Sequence, residues 1–209
     1  DITSIYDVSR IENTGLANFT FKANLGEVRK YIAIDPADYY VPLKESQSKV
    51  VNQNIKGTIF NNNQGQFEDI DYIIITPLNL ASEAERLAQF HRVYSQLNVK
   101  VITLDKIYQE FSSGKQDIGA IRNLIKYVYY NASTAEKRIK YLNLFGDASY
   151  DYKNRIPNNT NIVPIFHSLV SNSLLSSTMS DDFYTMMDPN EGLMTSGADG
   201  LDLAVGRML

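Results

Sequence analysis

The sequence contains no cysteine in 209 residues, and its only histidines are His91 and His167. The missing thiols exclude disulfide bonds, zinc–thiolate sites and a cysteine nucleophile from this stretch of chain. With two histidines, a histidine-centred metal site or a Ser-His-Asp triad has to be built around one of them. The lack of cysteine fixes no compartment, because cytosolic and exported proteins can both lack it.

Long apolar runs and an excess of basic residues are missing as well. The longest apolar candidate, at 72–75, is strand-sized, whereas a bilayer span needs about 20 residues. Scattered Lys and Arg and a net charge of −4 exclude a nucleic-acid-binding surface. Residues 1–4 lack the basic start and apolar middle of a signal peptide, so the export signal of an exported parent protein would lie upstream.

Residues 1–66 are predicted to be the end of an all-β domain and a linker. Positions 18–23 and 29–35 alternate polar and apolar residues, as half-buried strands do. Residues 44–66 are rich in Asn, Gln, Ser and Gly, and we expect them to bury little surface. A domain junction is therefore predicted in this stretch.

Residues 67–209 are predicted to form a doubly wound, mostly parallel α/β domain. Three apolar runs indicate strands that are covered on both faces: 71–76, 99–103 and 140–145. Helical patterns separate them, which predicts right-handed βαβαβ connections with helices on both faces of the sheet. A short strand is expected at 162–166 and a last one at 201–209. Because the chain stops on that apolar strand, we expect the domain to be truncated at its C-terminal side.

Capping residues and apolar periodicity predict the two long helices. Ser82 and Glu85 have capping-box spacing, Asp117 can cap the second helix, and Asn98 is expected to end the first in a left-handed conformation. The predicted buried stripe of the first helix is Ala84, Leu87, Ala88, Val93, Tyr94 and Leu97. That of the second is Ile118, Ile121, Leu124, Ile125 and Val128.

Acidic residues at three places are candidate cation ligands. Asp147 follows the third strand, at the carboxyl edge where parallel sheets place ligands and catalytic groups. It can bind a metal or orient a histidine, but the pattern favours capping of the amides in loop 148–152. The segments 180–182 (Ser-Asp-Asp) and 188–192 (Asp-Pro-Asn-Glu-Gly) offer clustered oxygens for calcium. EF-hand spacing is not met, however, and the second segment is also a good turn sequence.

Other candidate motifs lack the partners that their chemistry needs. Ser113-Gly114-Lys115 precedes a helix, but Gln109 and Gln116 stand where a phosphate-binding loop has Gly and Ser or Thr. His91 lies inside a helix with no acid or serine expected at hand. His167 lies among serines, and a Ser–His pair is conceivable, but no Gly-x-Ser-x-Gly motif is present. Neither histidine is predicted to be catalytic.

Four blocks of sequence together resemble the gingipain-type cysteine peptidase family, and within it the sortases of the type IX secretion system. The blocks follow the family's order and are 83–92 with 99–104, 111–118 with 120–123, 144–153, and 180–184 with 205–207. They span about residues 71–209, while 1–65 is similar to the end of the β domain that precedes the peptidase in those sortases. The resemblance implies a caspase-like α/β fold.

The resemblance also implies a Cys–His catalytic pair in the second half of the peptidase domain, past Leu209. No catalytic, cofactor-binding or metal-binding residue is therefore carried over to this chain, and no cofactor is implied. The whole protein would remove C-terminal sorting domains from secreted cargo by acyl transfer. It would act at the extracellular face of the outer membrane with other secretion-system subunits, and lipopolysaccharide is a candidate acceptor.

Two other functions stay open at this point. The first is a non-catalytic, gingipain-like interaction module of a secretion complex, in which the catalytic cysteine of the whole protein would be replaced. The second is a metal-dependent hydrolase built on Asp147, Asp181 and Asp182.

Overall fold

The computed structural model of the chain describes residues 4–7, 12–13, 26, 28–34, 39–43, 52–170, 172–192, 194 and 199–208. The chain divides into two compact units, 1–51 and 52–209. In the described part of the first unit, the regular structure is an antiparallel sheet of β1 (Ser4–Asp7), β2 (Glu12–Asn13) and β3 (Tyr31–Ile34). The strand β3 falls within the predicted strand 29–35, whereas the predicted strand 18–23 lies outside the described residues.

The second unit is built from a parallel sheet and helices. In chain order its elements are α1 (Ile55–Thr58), β4 (Tyr72–Thr76), α2 (Ala81–Tyr94), β5 (Val99–Thr103), α3 (Leu104–Phe111), α4 (Ile118–Tyr130), β6 (Tyr141–Phe145), β7 (Phe166–His167), β8 (Met179–Ser180) and β9 (Ala204–Met208). Four strands form one sheet in the order β5-β4-β6-β9, and every neighbouring pair is parallel. The predicted doubly wound α/β fold is confirmed. Within the described residues, no helix is long and apolar enough to cross a membrane.

Both faces of β4 are buried, which explains its unbroken apolar run. Ile73 and Ile75 point into the larger core with α3 and α4. Tyr72 and Ile74 point into a second core with α2 on the opposite face. Alternate residues of a strand project to opposite faces, so a strand covered on both sides needs apolar residues at every position.

The helix α4 matches its prediction. Its N-cap residue Asp117 accepts a hydrogen bond from the Gly119 amide at 2.7 Å through Oδ1. Its predicted stripe faces the larger core: Ile121, Leu124, Ile125 and Val128 are buried, and Ile118 is partly buried against them.

The predicted start of α2 is wrong. A 3₁₀ turn at Leu78–Leu80 runs directly into the helix, which begins at Ala81, so Ser82 already lies inside the first turn. The Ser82 hydroxyl donates to the Glu83 carboxylate at 2.5 Å instead of accepting a backbone amide. No side chain caps this helix, because the preceding 3₁₀ turn continues directly into its first turn.

The predicted buried stripe and end of α2 also need correction. Ala84 and Ala88 are buried as predicted, but Val93 and Tyr94 are exposed. Val93 lies nine residues after Ala84, about two and a half turns, and so faces the opposite side of the helix. The left-handed residue after α2 is Gln96, with φ of 56°, not Asn98.

The predicted strand 162–166 is mostly an irregular segment, and only its last residue belongs to β7. The amides of Ile162 and Val163 donate to the carbonyl of Asp147 at 3.0 and 2.9 Å, and Pro164 has no amide proton to offer. These amides are therefore not available to a neighbouring strand.

Residues 52–66 pack within the second unit. Ile55, Ile59 and Phe60 are buried in the same core as β4, so the expectation that 44–66 buries little is wrong for these residues. The Glu110 carboxylate of α3 accepts the amides of Ile55 at 2.5 Å and Lys56 at 2.9 Å, which ties α1 to the sheet unit. The predicted domain boundary after residue 66 stays a prediction.

Substitutions at Asp117 and Ser82 test which of the two predicted N-caps forms. Replacing Asp117 with Ala removes an observed N-cap and is expected to lower the free energy of unfolding by about 1 kcal/mol. Replacing Ser82 with Ala removes only an exposed hydroxyl contact, and the expected change is within about 0.5 kcal/mol. Urea unfolding followed by circular dichroism measures both, and Asp117→Asn, which can still cap, should recover most of the loss. Equal losses for Ser82→Ala and Asp117→Ala would contradict the assignment.

Candidate functional site

The carboxyl ends of the four parallel strands lie along one edge of the sheet. Two candidate residues from the sequence lie near it, together with Arg207, for which the sequence analysis predicted no role. Asp147 follows β6, Asp181 follows β8, and Arg207 lies within the last strand, β9. Arg207 pairs in register with Leu144 of β6, one residue before the strand ends. This edge is where open parallel sheets place their functional groups.

The guanidinium of Arg207 joins several segments at this edge through hydrogen bonds. Its Nε donates to Asp181 Oδ2 at 2.9 Å and its Nη2 to Oδ1 at 2.6 Å, which makes a bidentate ion pair. Its Nη1 donates to the carbonyl oxygens of Gly146 and Val163, both at 2.8 Å, and Nη2 also reaches Pro164 at 3.4 Å. The planar fork of an arginine suits such simultaneous contacts, which a lysine cannot reproduce.

This ion pair is largely withdrawn from solvent. The side chains of Arg207 and Asp181 are only 12% and 17% exposed. A charge in such a place must be paired, because its removal from water is unfavourable. The pair therefore fixes three segments that are distant in sequence: β9, the β8 end and the loop that follows β6.

Asp147 holds the start of that loop. Its Oδ1 accepts the Ala148 amide at 2.7 Å, which is the capping role that the sequence favoured. A hydrogen bond from Thr160, followed by the Ala148 amide, lowers the pKa of Asp147, and Arg207 contributes to the same direction. These contacts leave the Asp147 carboxylate engaged within its own loop.

Asp151, which sequence reasoning missed, and Gly146 shape this loop further. Asp151 is buried, and its Oδ2 accepts the amides of Arg155 at 2.5 Å and Ile156 at 2.7 Å. Gly146 has φ of +148°, and a Cβ there would lie 2.8 Å from a methyl of Ile162. The stretch after Asp151 contains Asn and Pro, and these residues in the sequence indicate a turn of this kind, in which a side chain binds backbone amides.

The structure does not bring Asp147, Asp181 and Asp182 together as a metal site. Both carboxylate oxygens of Asp181 accept from Arg207, and Asp147 is bound to its loop. The carbonyl of Asp182 accepts the amide and hydroxyl of Thr185 at 2.9 and 2.8 Å, as part of a 3₁₀ turn. Across the part of the chain that the structure describes, no three His, Cys, Asp or Glu side chains group to hold a metal ion.

The acidic stretch 188–192 docks on α4 through cationic side chains. Arg122 donates to the carbonyl oxygen of Met186 at 3.0 Å through Nε and to that of Glu191 at 2.9 Å through Nη2, and Lys126 donates to that of Asp188 at 3.2 Å. The Glu191 carboxylate accepts the amides of Asp188 and of Gly200, both at 3.1 Å. The Glu191 carboxylate and two main-chain oxygens of this segment are therefore bound to protein donors.

The two histidines have different surroundings. His91 is 3.1 Å from the hydroxyl of Ser95, one helical turn away, so the expectation of no nearby serine is wrong. This pair lies on the surface of α2, where the ring packs against Tyr72. His167 packs against Tyr152 at 5.7 Å between ring centres. Its Nε2 is buried and has no partner among the described residues.

The serines beside His167 form hydrogen bonds with backbone groups of their own loop. Ser168 accepts the Thr178 amide at 3.0 Å and donates to the Val170 carbonyl at 3.0 Å. Ser173 accepts the amides of the two residues that lie two and three positions later, Leu175 and Ser176. No Ser–His pair forms here among the described residues, while Ser171 lies outside them.

The segment Ser113–Lys115 closes the end of α3. The Gly114 amide donates to the Tyr108 carbonyl at 2.7 Å, and the Lys115 amide to the Ser112 carbonyl at 3.1 Å. Ser113 and Gly114 both have positive φ, as in a helix-terminating turn. Amides used in this way cannot cradle a phosphate, which agrees with the sequence analysis.

A groove of about 1120 Å³ opens at the same edge, between the start of α4 and the loops that follow β6 and β7. Its walls include the aromatic and cationic side chains of Lys115, Tyr150, Tyr152, Lys153 and His167, together with Asp117 and several apolar residues. Tyr150 and Tyr152 are more than half exposed, so their rings are available to a ligand. The groove offers a binding surface, but the sequence has no cysteine to supply a thiol nucleophile.

Removing the guanidinium of Arg207 tests whether the ion pair organises this edge. Arg207→Met leaves the Asp181 carboxylate buried without its partner, and the expected loss in free energy of unfolding is about 3–5 kcal/mol. The exposed Arg155 provides the control, since Arg155→Met should change stability by less than about 0.5 kcal/mol. The double variant Arg207→Met/Asp181→Leu should recover part of the loss because no unpaired charge remains. Urea midpoints that are the same for Arg207→Met and wild type would contradict this role.

The lowered pKa of Asp147 makes its contribution to stability depend on pH. The folded pKa lies below the ordinary value of 3.8, so the stabilisation is present above that value and is lost as pH falls through the folded pKa. Asp147→Asn keeps an acceptor but no charge, and the stability difference from wild type should therefore shrink at acid pH. Urea unfolding at several pH values between about 6 and 2.5 measures it. A difference that stays constant across this range would exclude the charge effect.

Comparisons with known proteins agree with this architecture. The model of Peptidase family C25 matches residues 66–209, well over half of the chain. A comparison with curated proteins gives no match. Among solved structures, the chain is similar to dimeric latent PorU from Porphyromonas gingivalis, with a TM-score of 0.64 and 23% sequence identity. The match covers 98% of this chain and 20% of that PorU chain, so this chain spans about a fifth of its length.

The structural similarity establishes a shared fold, and the sequence match establishes the family. The matched residues include the whole parallel sheet, the Arg207–Asp181 pair and the groove. The chain belongs to peptidase family C25, the gingipain family of cysteine peptidases.

Proposed function

We propose that this chain is the N-terminal part of a gingipain-like cysteine endopeptidase of the sortase type. It would remove C-terminal sorting domains from proteins that the type IX secretion system exports. The observation that carries the proposal is the family match over residues 66–209, which includes the whole parallel sheet. The fold that the chain shares with PorU supports the more specific sortase assignment.

The catalytic cysteine of this enzyme would come from outside these 209 residues, since the sequence has no cysteine. The resemblance to the family implies that its catalytic histidine lies there as well. The histidine takes the thiol proton, and the thiolate attacks the carbonyl carbon of the scissile peptide bond while backbone amides stabilise the oxyanion. The leaving amine then accepts that proton, and a thioester remains. An amine of the acceptor attacks the thioester, forms a new amide and releases the thiol.

The part of this chain would be to hold the substrate beside that machinery. The groove at the carboxyl edge has tyrosine rings and lysine side chains along its walls, which suits an extended polypeptide. The Arg207–Asp181 pair fixes the loop that leads into the groove, so the walls are held before substrate arrives. Such preorganisation lowers the cost of binding.

The site of action and the partners follow from the resemblance to the type IX sortases. We place the enzyme at the extracellular face of the outer membrane, after export through a signal peptide, with other subunits of the secretion system. Its substrates would be proteins with C-terminal sorting domains, and lipopolysaccharide would be the acceptor of the new acyl group.

The test uses the peptidase that contains this chain, together with a cargo protein that carries its sorting domain. We expect cleavage at the domain junction, which stops on thiol alkylation with iodoacetamide and on replacement of the catalytic cysteine with Ala. The 209-residue chain alone should cleave nothing, because it has no thiol. Mass spectrometry of the cargo measures the cleavage.

Two results would overturn the proposal. Cleavage that survives thiol alkylation would exclude a cysteine mechanism. Binding of cargo or of a secretion subunit without any cleavage would instead identify a non-catalytic interaction module.

A further inference from the structure

The strands β7 and β8 form a sheet of their own, and among the described residues no third strand joins it. His167 of β7 lies opposite Met179 of β8. The amide of the next residue, Ser168, donates to the Thr178 carbonyl at 2.9 Å. Hydrogen-bonded and non-hydrogen-bonded pairs alternate along an antiparallel ladder, so His167 is in a non-hydrogen-bonded pair. Its amide and carbonyl therefore point away from β8.

The open edge includes Ile165, two residues before His167. The carbonyl of Pro164 is directed into the protein, where it accepts the buried Tyr184 hydroxyl at 2.6 Å. Successive carbonyls of an extended segment alternate in direction, so the backbone groups of Ile165 face the other way. Across the described part of the chain, the amides and carbonyls of Ile165 and His167 make no hydrogen bond. Unpaired strand edges are templates for pairing with another polypeptide.

The loop that follows β6 explains why this edge is open. The Asp147 carbonyl accepts the Val163 amide at 2.9 Å, which brings the loop to the segment before β7. The loop then turns away, because the buried Asp151 carboxylate accepts two amides further along the same loop. Ile165 and His167 are consequently left facing the groove instead of a neighbouring strand.

The space beside this edge has the size of a short extended segment. Ile165 and His167 both line the groove of about 1120 Å³. A strand residue takes up about 160 Å³, from a rise of about 3.4 Å, a strand spacing of about 4.8 Å and a sheet spacing of about 10 Å. The groove therefore accommodates roughly seven residues of a single strand.

The walls of the groove suit alternate side chains of such a segment. The ring of His167 packs against that of Tyr152, with 5.7 Å between ring centres, and the exposed Tyr150 and Leu169 also line the groove. Side chains of a strand alternate between two faces, so every second residue of a bound segment would contact these walls. Aromatic and aliphatic walls favour apolar residues at those positions.

We propose that the groove binds an extended polypeptide segment as a third strand, which is added to the outer edge of β7 through the backbone groups of Ile165 and His167. In this mode main-chain hydrogen bonds supply affinity, and alternate side chains supply selectivity. The segment is part of the polypeptide substrate, and the inference rests on the proposed function for this identity. Ile165 and His167 are only partly exposed. A flexible segment therefore reaches their edge, whereas a folded surface would have to fit between the walls.

Amide exchange in the 209-residue chain tests the mode of binding. The probe is an eight-residue peptide of alternating Val and Thr. In the free chain, the amides of Ile165 and His167 should exchange faster than that of Ser168, which is bonded to β8. At saturating peptide, exchange at Ile165 and His167 should slow by at least about tenfold, while exchange at Ser168 stays unchanged. NMR of the isotope-labelled chain measures each amide separately.

N-methylation of the peptide tests the backbone pairing. One variant carries methyl groups on the Val amides and the other on the Thr amides, and only one of these sets faces β7, because amides alternate in direction. One variant should therefore lose affinity by at least about tenfold, and the other should bind like the parent peptide.

A pair of tyrosine substitutions tests the walls. Tyr152→Ser should weaken peptide binding by at least about fivefold, because it removes an aromatic wall. Tyr94→Ser is the control, since that ring is exposed on α2 and does not line the groove, and it should leave the affinity unchanged. Equal affinities of the two variants would contradict the placement of the segment.

Three other results would overturn the inference. They are equal effects of the two methylated peptides, exchange that slows at Ser168 as much as at His167, and protection of His167 without peptide that rises with protein concentration. The last would identify a second copy as the occupant. A peptide from the sorting-domain junction of a cargo protein should bind more tightly than the Val–Thr peptide, and equal affinity would overturn the substrate as the occupant. None of these measurements needs cleavage, so their failure is distinguishable from failure of the proposed function.

Discussion

The guanidinium of Arg207 determines how the carboxyl edge of the sheet is arranged. It joins Asp181 with the carbonyl oxygens of Gly146 and Val163, so one side chain connects segments that enter the edge from three directions. The groove and the capped loop at Asp147 both depend on those segments keeping their positions. A largely buried ion pair contributes less to net stability than to selecting one arrangement, because desolvation offsets much of the attraction.

The parallel sheet and α4 could be predicted from sequence because their causes are local. Strands covered on both faces need apolar residues at every position, and Asp117 satisfies an amide two residues away. The start of α2 could not be predicted in this way. Ser82 and Glu85 have the spacing of a capping box, but the 3₁₀ turn before Ala81 moves the helix start upstream. The Leu80 amide closes that turn on the Pro77 carbonyl, a local hydrogen bond that capping rules do not include.

The site was less predictable, because its interactions join residues far apart in sequence. Asp181 looks like a metal ligand when only its acidic neighbours are visible, whereas its partner Arg207 lies 26 residues later. The main-chain carbonyl oxygens of Asp188 and Glu191 likewise accept from Lys126 and Arg122, which lie on a helix more than sixty residues upstream. Carboxylates show in a sequence that a charge is present, but only the fold shows which donor neutralises it.

The packing of α1 has a practical consequence for where a folding fragment of this family can begin. Sequence similarity to the family starts at residue 66, yet Ile55, Ile59 and Phe60 belong to the core beneath the sheet. A fragment cut at the family boundary would expose the apolar surfaces of α3 and α4 that these side chains cover. The match to the family and the folded core thus begin at different positions in this polypeptide. A fragment that is meant to fold has to include the residues of the core.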